Sequence, residues 1–260
     1  MYLYLYDSFL VEQKYRKTID QIETRLTDLG ISGRTIRLTI LKNAREVIKD
    51  NLREEIDTVV VIGSDKLFSE SAMALAGTEV TLGFIPVGES AMADILDIPK
   101  SIEACDVVSG RRVQKIDLGR INGQYFLNSV QIDSAKVSVK CDGLYQIVSS
   151  GGIKSIKIVN LDWLNFTLTE PDITIEKRAS SAKDGLLEVV FSKAPRVTFP
   201  LFKKIEQKDS LFYVKRIQFN VLGDREIMAR VDNERILKLP LIIEIVPNCL
   251  KLIVGRSHLI

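Results

Sequence analysis

The segment 58-TVVVIG-63, continuing as 64-SDKLFSE-70, decides how the first half of the chain folds. Thr58 to Ile62 is an unbroken run of β-branched residues, the composition of a short strand buried on both faces of a parallel sheet. It runs directly into Gly63, and Leu67 to Ala76 has helical character, so the stretch predicts a strand, a glycine turn and a helix. The same unit returns downstream, with a strand at Thr81 to Ile85 and a turn at Pro86-Val87-Gly88. Upstream, Tyr2 to Tyr6 predicts a first strand. Glu12 to Leu29 spaces Tyr15, Ile19, Ile22, Leu26 and Leu29 as an amphipathic helix that stops at Gly30. Thr35 to Leu41 predicts another strand and Ala44 to Leu52 another helix. Alternation of this kind from Met1 to about Gly110 specifies a parallel-sheet α/β domain, whose ligands sit at the carboxyl ends of strands, near the two glycine turns.

Beyond Arg111 the pattern changes to short alternating strands broken by Asn122-Gly123, Asp142-Gly143 and Gly151-Gly152, which are hairpin and turn signals. The expected organisation is an α/β nucleotide-binding domain over residues 1–110, with 246–260 packing back on it, followed by an antiparallel β-sandwich-like domain over 111–245. The apolar run Leu239 to Val254 is the segment expected to return and brace the structure.

The totals agree with two domains: 260 residues with 46% hydrophobic and 27% charged content suffice for full cores. Lysine plus arginine number 36 and aspartate plus glutamate 34, a formal charge of +2, so no global field for nucleic acid is expected and an anionic ligand must be held locally. Cys105, Cys141 and Cys249 lie far apart and form neither a CxxC metal pattern nor a disulfide framework, which fits a reducing, cytoplasmic setting. The opening MYLYLYDSFL lacks a basic leader, and no run reaches the roughly 18 to 20 apolar residues that span a bilayer.

Five segments taken in order carry a resemblance: VVVIGSDKLFSE at 59–70, GFIPVGESAMADILDIP at 83–99, KIDLGRINGQYFLNSV at 115–130, KDGLLEVVF at 183–191 and VDNER at 231–235. Together they resemble the diacylglycerol kinase catalytic family, which includes bacterial lipid kinases and sphingosine kinases. That family has a GGDGT loop, a PLGTGND turn, a DGLL strand and a DGE turn. The resemblance implies an NAD kinase/diacylglycerol kinase-like fold, ATP held in a cleft between the two halves, and magnesium-dependent phosphoryl transfer to the hydroxyl of a lipid or other small molecule. It implies nucleotide contacts from Gly63, Ser64, Asp65, Lys66, Glu70, Gly88 and Glu89. It also implies a structural magnesium site at Asp184 and Leu186, Asp232 as the general base, and Glu234 as the residue holding the constellation in place.

The match has departures. Ser64, Lys66 and Leu67 stand where glycine, glycine and threonine are expected, and Glu89, Ser90, Ala91 and Met92 replace the second turn's TGND. Asp94 comes two residues late, rotated by roughly 200° on a helix. Lys66 either blocks the close approach of the backbone or neutralises a phosphate. A catalytically inactive nucleotide- or lipid-binding relative and an NAD kinase-like enzyme therefore stand beside the lipid kinase.

Each residue also has a plainer reading. Asp65 can cap the helix that begins near Leu67, Asp94 can be a solvated helix residue, and Asp184 can shape an Asp-Gly hairpin. VDNER by itself reads as a solvated strand turn, its aspartate contributing little to a core. His258 belongs to the terminus, Trp163 to a β core, and the cysteines to buried positions. The Arg111-Arg112 and Lys203-Lys204 pairs are solvated faces or contacts for anionic lipid heads. Peripheral membrane contact and a homodimer both remain open.

Overall fold

The computed structural model describes residues 1–39, 42–52, 55–133, 136–148, 153–170, 172–193, 196–198, 203–205 and 209–256. Gly151-Gly152, His258 and the Leu41 end of the second predicted strand lie outside the described residues. The chain divides into two units, Met1–Ile116 with Asn248–Ile260, and Asp117–Pro247.

The first unit alternates strands and helices: β1 (Tyr2–Tyr6), α1 (Arg16–Asp28), β2 (Arg34–Arg37), α2 (Ala44–Asn51), β3 (Thr58–Gly63), α3 (Asp65–Leu75), β4 (Thr81–Pro86), α4 (Ala91–Leu96) and α5 (Ile102–Gly110). The sheet order is β2-β1-β3-β4, parallel throughout. Every residue of β3 and of β4 is buried, as their continuous apolar sequences require of central parallel strands. The α1 helix begins at Arg16, four residues later than the spacing predicts, because Ser8–Val11 and Gln13–Tyr15 wind as two 3-10 turns first. Its apolar stripe is Ile19, Ile22 and Leu26, all buried, and Gly30 follows the helix at φ +68°, as a glycine stop should.

The second unit is antiparallel. Its strands are β5 (Val113–Ile121, entered from the first unit), β6 (Gln124–Phe126), β7 (Ser129–Asp133), β8 (Val137–Cys141), β9 (Tyr145–Val148), β10 (Ile153–Val159), β11 (Trp163–Glu170), β12 (Asp172–Ala179), β13 (Leu187–Lys193), β14 (Arg196–Thr198), β15 (Lys203–Ile205), β16 (Ser210–Val214), β17 (Arg216–Val221), β18 (Met228–Val231), β19 (Arg235–Lys238) and β20 (Leu241–Ile253). One sheet runs β16-β13-β10-β7-β18-β19, and β17 joins β20 to β8 and β9 in another. Val130, Ile132, Ile156, Ile158 and Val189 of the first sheet meet Val137, Val139, Ile217, Phe219 and Ile243 of the second in one buried core, the arrangement of a β-sandwich. The Asn122-Gly123 and Asp142-Gly143 pairs have positive φ at both residues, the geometry of two-residue hairpin turns.

The last strand leaves this unit, and Lys251 and Leu252 pair in parallel with Thr81 and Leu82 of β4. The return of the C-terminal run thus extends the first unit's sheet. Cys105, Cys141 and Cys249 are all buried and unbonded, and burial pushes the Cys105 thiol up to about 11. Among the described residues, no helix is long and apolar enough to cross a membrane.

Candidate functional site

Pairing of β3 with β4 sets Gly63 opposite Pro86, and the Val87 amide donates to the Gly63 carbonyl at 3.0 Å. The two glycine turns named by the sequence therefore leave the sheet side by side at the carboxyl ends of adjacent parallel strands. In open α/β sheets this is where ligands bind.

Asp7, just past β1, holds the first turn. Its Oδ2 accepts from the Ser64 hydroxyl at 2.5 Å and from the Ser64 amide at 3.2 Å. The same serine Oγ accepts from the Leu67 amide at 3.3 Å, so Ser64 is the N-cap of α3. Gly63 has φ +149°, and a Cβ there would lie 2.4 Å from Asp7 Cβ, so both backbone and neighbour demand glycine. Gly88, at φ +102°, is different, because a Cβ added there meets nothing within 4 Å. Gly63→Ala is expected to cost about 2–4 kcal/mol through overpacking and strain. Gly88→Ala adds backbone strain at φ +102° but no clash, so a smaller loss of about 1–3 kcal/mol is expected. Urea unfolding of both variants checks the contrast, and equal losses would contradict it.

Asp65 does not cap its own helix, as the plain reading had it, because Ser64 already does. Its carboxylate reaches the second turn instead: Ser90 donates its hydroxyl to Oδ1, and the amides of Ala91 and Met92 donate to Oδ2 at 3.0 and 3.3 Å. Ser90 in turn caps α4 by accepting from the Ala93 amide at 2.9 Å. One side chain thus ties the start of α3 to the start of α4, with negative charge at the amide end of a helix, where the dipole favours it.

The remaining residues predicted to contact nucleotide are Lys66, Glu70 and Glu89. Lys66 is 67% exposed and lies 4.0 Å from Glu70, one turn along α3, while Glu89 is 96% exposed and pairs with Lys100 at 2.7 Å. Asp94 is exposed on α4. Partial burial raises the Glu70 carboxyl from its ordinary 4.5, with Lys66 opposing and Asp7 adding to the rise. A carboxyl raised by folding binds its proton more tightly in the native state, so its contribution to stability is greatest below the unfolded value and falls as pH rises through the native one. The stability of the parent chain relative to Glu70→Gln is therefore expected to rise on acidification from neutral pH through this window. Urea midpoints across that range measure it, and a difference that does not change with pH would refute the burial effect.

In the second unit, Val231-Asp232-Asn233-Glu234 forms the tight turn between β18 and β19, with φ +50° and +58° at its two central residues. The turn is as the sequence suggests, but solvation is not: Asp232 is only 7% exposed. Its Oδ2 accepts from the Leu127 amide at 3.1 Å, and its Oδ1 from those of Asn128 and Ser129 at 2.8 and 3.1 Å. Arg235 stands 3.8 Å away and donates to the Tyr125 carbonyl at 2.9 Å. Burial pushes the Asp232 carboxyl above its ordinary value, the three amides and Arg235 opposing. Glu234 is exposed.

Asp184 shapes an exposed turn, its Oδ1 accepting from the Leu186 amide at 3.0 Å, with Gly185 at φ +71°. The Gly185 amide donates to buried Asp117 at 2.8 Å, and the Asp117 carbonyl accepts from Asn160 Nδ2 at 3.0 Å. Asn160 Nδ2 also donates to the Leu127 carbonyl at 2.8 Å. Leu127 thus links the DGLL turn to Asp232 through a chain of buried polar groups. Sequence reasoning passed over Asp7, Ser90, Asp117 and Asn160. Asp117 lies within the KIDLG stretch already singled out, and Asp7 follows the first strand directly, but nothing local marks Asn160.

Comparison with known proteins bears on this geometry. Residues 2–121 match the family model of the diacylglycerol kinase catalytic domain. A diacylglycerol kinase of Bacillus subtilis (strain 168) is 31% identical over 119 residues, 44% of this chain and 39% of that protein, so the match spans well under two thirds of the relative. Among solved structures, a diacylglycerol kinase from Bacillus anthracis str. Sterne superposes with a TM-score of 0.73 at 19% identity, covering 98% of this chain and 97% of the other. An NAD kinase from Archaeoglobus fulgidus in complex with ATP superposes with a TM-score of 0.59 at 11% identity, covering 100% and 96%. At these identities the structures establish a shared fold. Residues 2–121, just under half of the chain, are thus similar to the diacylglycerol kinase catalytic domain.

Proposed function

We propose that the protein is a phosphotransferase of the diacylglycerol kinase type, which takes ATP at the carboxyl ends of β3 and β4 and passes its terminal phosphoryl group to a lipid hydroxyl. The observation that carries this reading is the adjacency of the Gly63 and Gly88 turns, locked to one another by Asp65. Paired glycine turns let backbone amides approach phosphate oxygens, and phosphoryl transfer depends mainly on such positioning and on charge stabilisation. The DGLL-type and DNE segments favour the lipid branch over an NAD kinase.

Asp232 is the group assigned to receive the acceptor's proton. Three of the roughly four lone-pair sites of its carboxylate are taken by amides, leaving about one for that task. Its raised affinity for a proton suits a base. Magnesium would supply charge neutralisation at the transferring phosphoryl group. Asp184 leaves one carboxylate oxygen uncommitted by the Leu186 amide, and in the adjoining network the buried side-chain oxygens of Asn128 and Asn160 have no hydrogen-bond partner. Such all-oxygen donors fit a hard divalent cation in a structural role, apart from the ion that accompanies ATP, with Asp184 and the Leu186 carbonyl as its holders. Among the described residues, no three acidic, histidine or cysteine side chains gather into a site.

Incubation with γ-labelled ATP, magnesium and diacylglycerol in mixed micelles is expected to move label into the lipid phase. No transfer, beside an active lipid kinase control, contradicts the proposal. A second reading rests on the full engagement of Asp65 by Ser90, Ala91 and Met92: a module that binds nucleotide without turnover. Thermal stabilisation by ATP with no labelled lipid would select it.

A further inference from the structure

The β8–β9 hairpin of the second unit carries an arrangement that phosphoryl transfer does not use. Asp142 and Gly143 form its turn at φ +50° and +73°, closed by the Leu144 amide donating to the Cys141 carbonyl at 3.0 Å. The next two residues, Leu144 and Tyr145, are 78% and 69% exposed. A leucine and a tyrosine held side by side in water at a rigid turn gain nothing for the fold.

The surroundings of this tip are basic. Lys140 precedes it on β8, and Lys215 and Arg216 lead into β17, the strand paired with β8. All three are exposed. They line, with Asp142, Gly143 and Gln218, an open depression of about 630 Å³. Asp142 is the carboxylate facing this group, and it is committed to the backbone, its Oδ1 accepting from the Lys215 and Arg216 amides at 2.9 and 2.8 Å. That bond pins the basic residues beside the turn. Glu244, opposite Arg216 on β20, is paired with Arg120 at 2.8 Å. Among the described residues, Lys140, Lys215 and Arg216 form no ion pair.

We infer that this hairpin docks the protein onto an anionic lipid bilayer, Leu144 and Tyr145 entering the interface while Lys140, Lys215 and Arg216 meet the headgroups. Charge complementarity selects this occupant. An apolar and aromatic tip with unpaired cations on the strand ends at its base matches the depth profile of an anionic membrane surface, apolar inside and negative outside. Each basic residue at such a surface is worth roughly fivefold in partition. Tyrosine suits the headgroup level because its ring is apolar and its hydroxyl stays wet.

Docking is measured without nucleotide, so its outcome is independent of whether the protein transfers phosphoryl groups. The purified full chain is sedimented with vesicles of phosphatidylcholine alone and of phosphatidylcholine mixed with phosphatidylglycerol. Binding is expected to the mixed vesicles only, weakening as salt rises. The double variant Leu144→Ser/Tyr145→Ser is expected to bind about tenfold or more weakly, and Lys140→Glu/Lys215→Glu at least as much so, with far-UV circular dichroism unchanged. As a second readout, Tyr145→Trp is expected to gain a blue-shifted emission with mixed vesicles that the parent, with Trp163 alone, does not show. Binding that ignores lipid charge or survives both double variants would overturn the inference. So would a Tyr145→Trp emission indifferent to lipid, or a dimer in solution that both double variants dissolve, which would assign the surface to a second copy of the chain.

Discussion

Asp232→Ala is expected to lower the unfolding free energy by about 3–5 kcal/mol, far beyond what a surface turn residue loses. The carboxylate satisfies the amides of Leu127, Asn128 and Ser129, which lie more than a hundred residues away in sequence. Leu127 and Ser129 are buried, so alanine leaves donors that water cannot reach, and each such donor costs roughly 1–3 kcal/mol. Asp232→Asn keeps an acceptor for Asn128 and Ser129 and loses only the Leu127 bond, so about 1–2 kcal/mol is expected. Urea unfolding of the two variants gives the comparison, and a loss under about 1 kcal/mol for alanine would show that the loop reorganises without its clamp. The asparagine variant also separates the structural role of the residue from the proposed base role. If it folds and transfers no phosphoryl group, the base role stands apart from the structural one. If it retains full transfer, Asp232 is a clamp alone.

Asp65→Ala is the second change with a large expected effect. Three donors, Ser90 Oγ and the amides of Ala91 and Met92, lose their acceptor at once, and the beginnings of α3 and α4 lose their only shared charged group among the described contacts. The site is partly exposed, so water replaces some of these bonds, and about 1–3 kcal/mol of stability is expected to go. The effect on ligand binding is larger, because two turns that no longer hold a fixed spacing lose the preorganisation on which a phosphate site depends. With ATP at up to about five times the parent's Kd, the expected rise in melting temperature should fall by at least about three quarters of its size, the result of a tenfold or greater loss in affinity. Asp94→Ala, exposed on α4, should leave that rise unchanged. An undiminished response in Asp65→Ala would mean that the tie between the turns has no part in holding nucleotide.

Much of the fold is written locally. Five β-branched residues ahead of Gly63 allow little besides a buried strand, and Asn122-Gly123 and Asp142-Gly143 dictate turns through the positive φ that these residues tolerate. The location of the two glycine turns follows from strand order in a parallel sheet. What local sequence could not supply is the identity of long-range partners. Asp65 sits beside Ser64 in a pattern that suits a helix cap, yet its partners lie 25 to 27 residues on, brought near only because β3 and β4 are neighbours. VDNER is made of residues typical of an exposed turn, and only tertiary structure delivers the amides that bury its aspartate. Lys66 stands beside the glycine turn in sequence, and in the fold its exposed side chain lies one helical turn from Glu70. Asp7 escaped notice because a single aspartate after a strand has no periodicity to betray it.

The most direct test of the central claim is a titration of the isotopically labelled protein with magnesium and a non-hydrolysable ATP analogue, following backbone amide resonances. The account predicts saturable shifts concentrated at Gly63 to Lys66 and Gly88 to Met92. Saturable shifts that leave both turns unmoved, or no shifts at all, would contradict it.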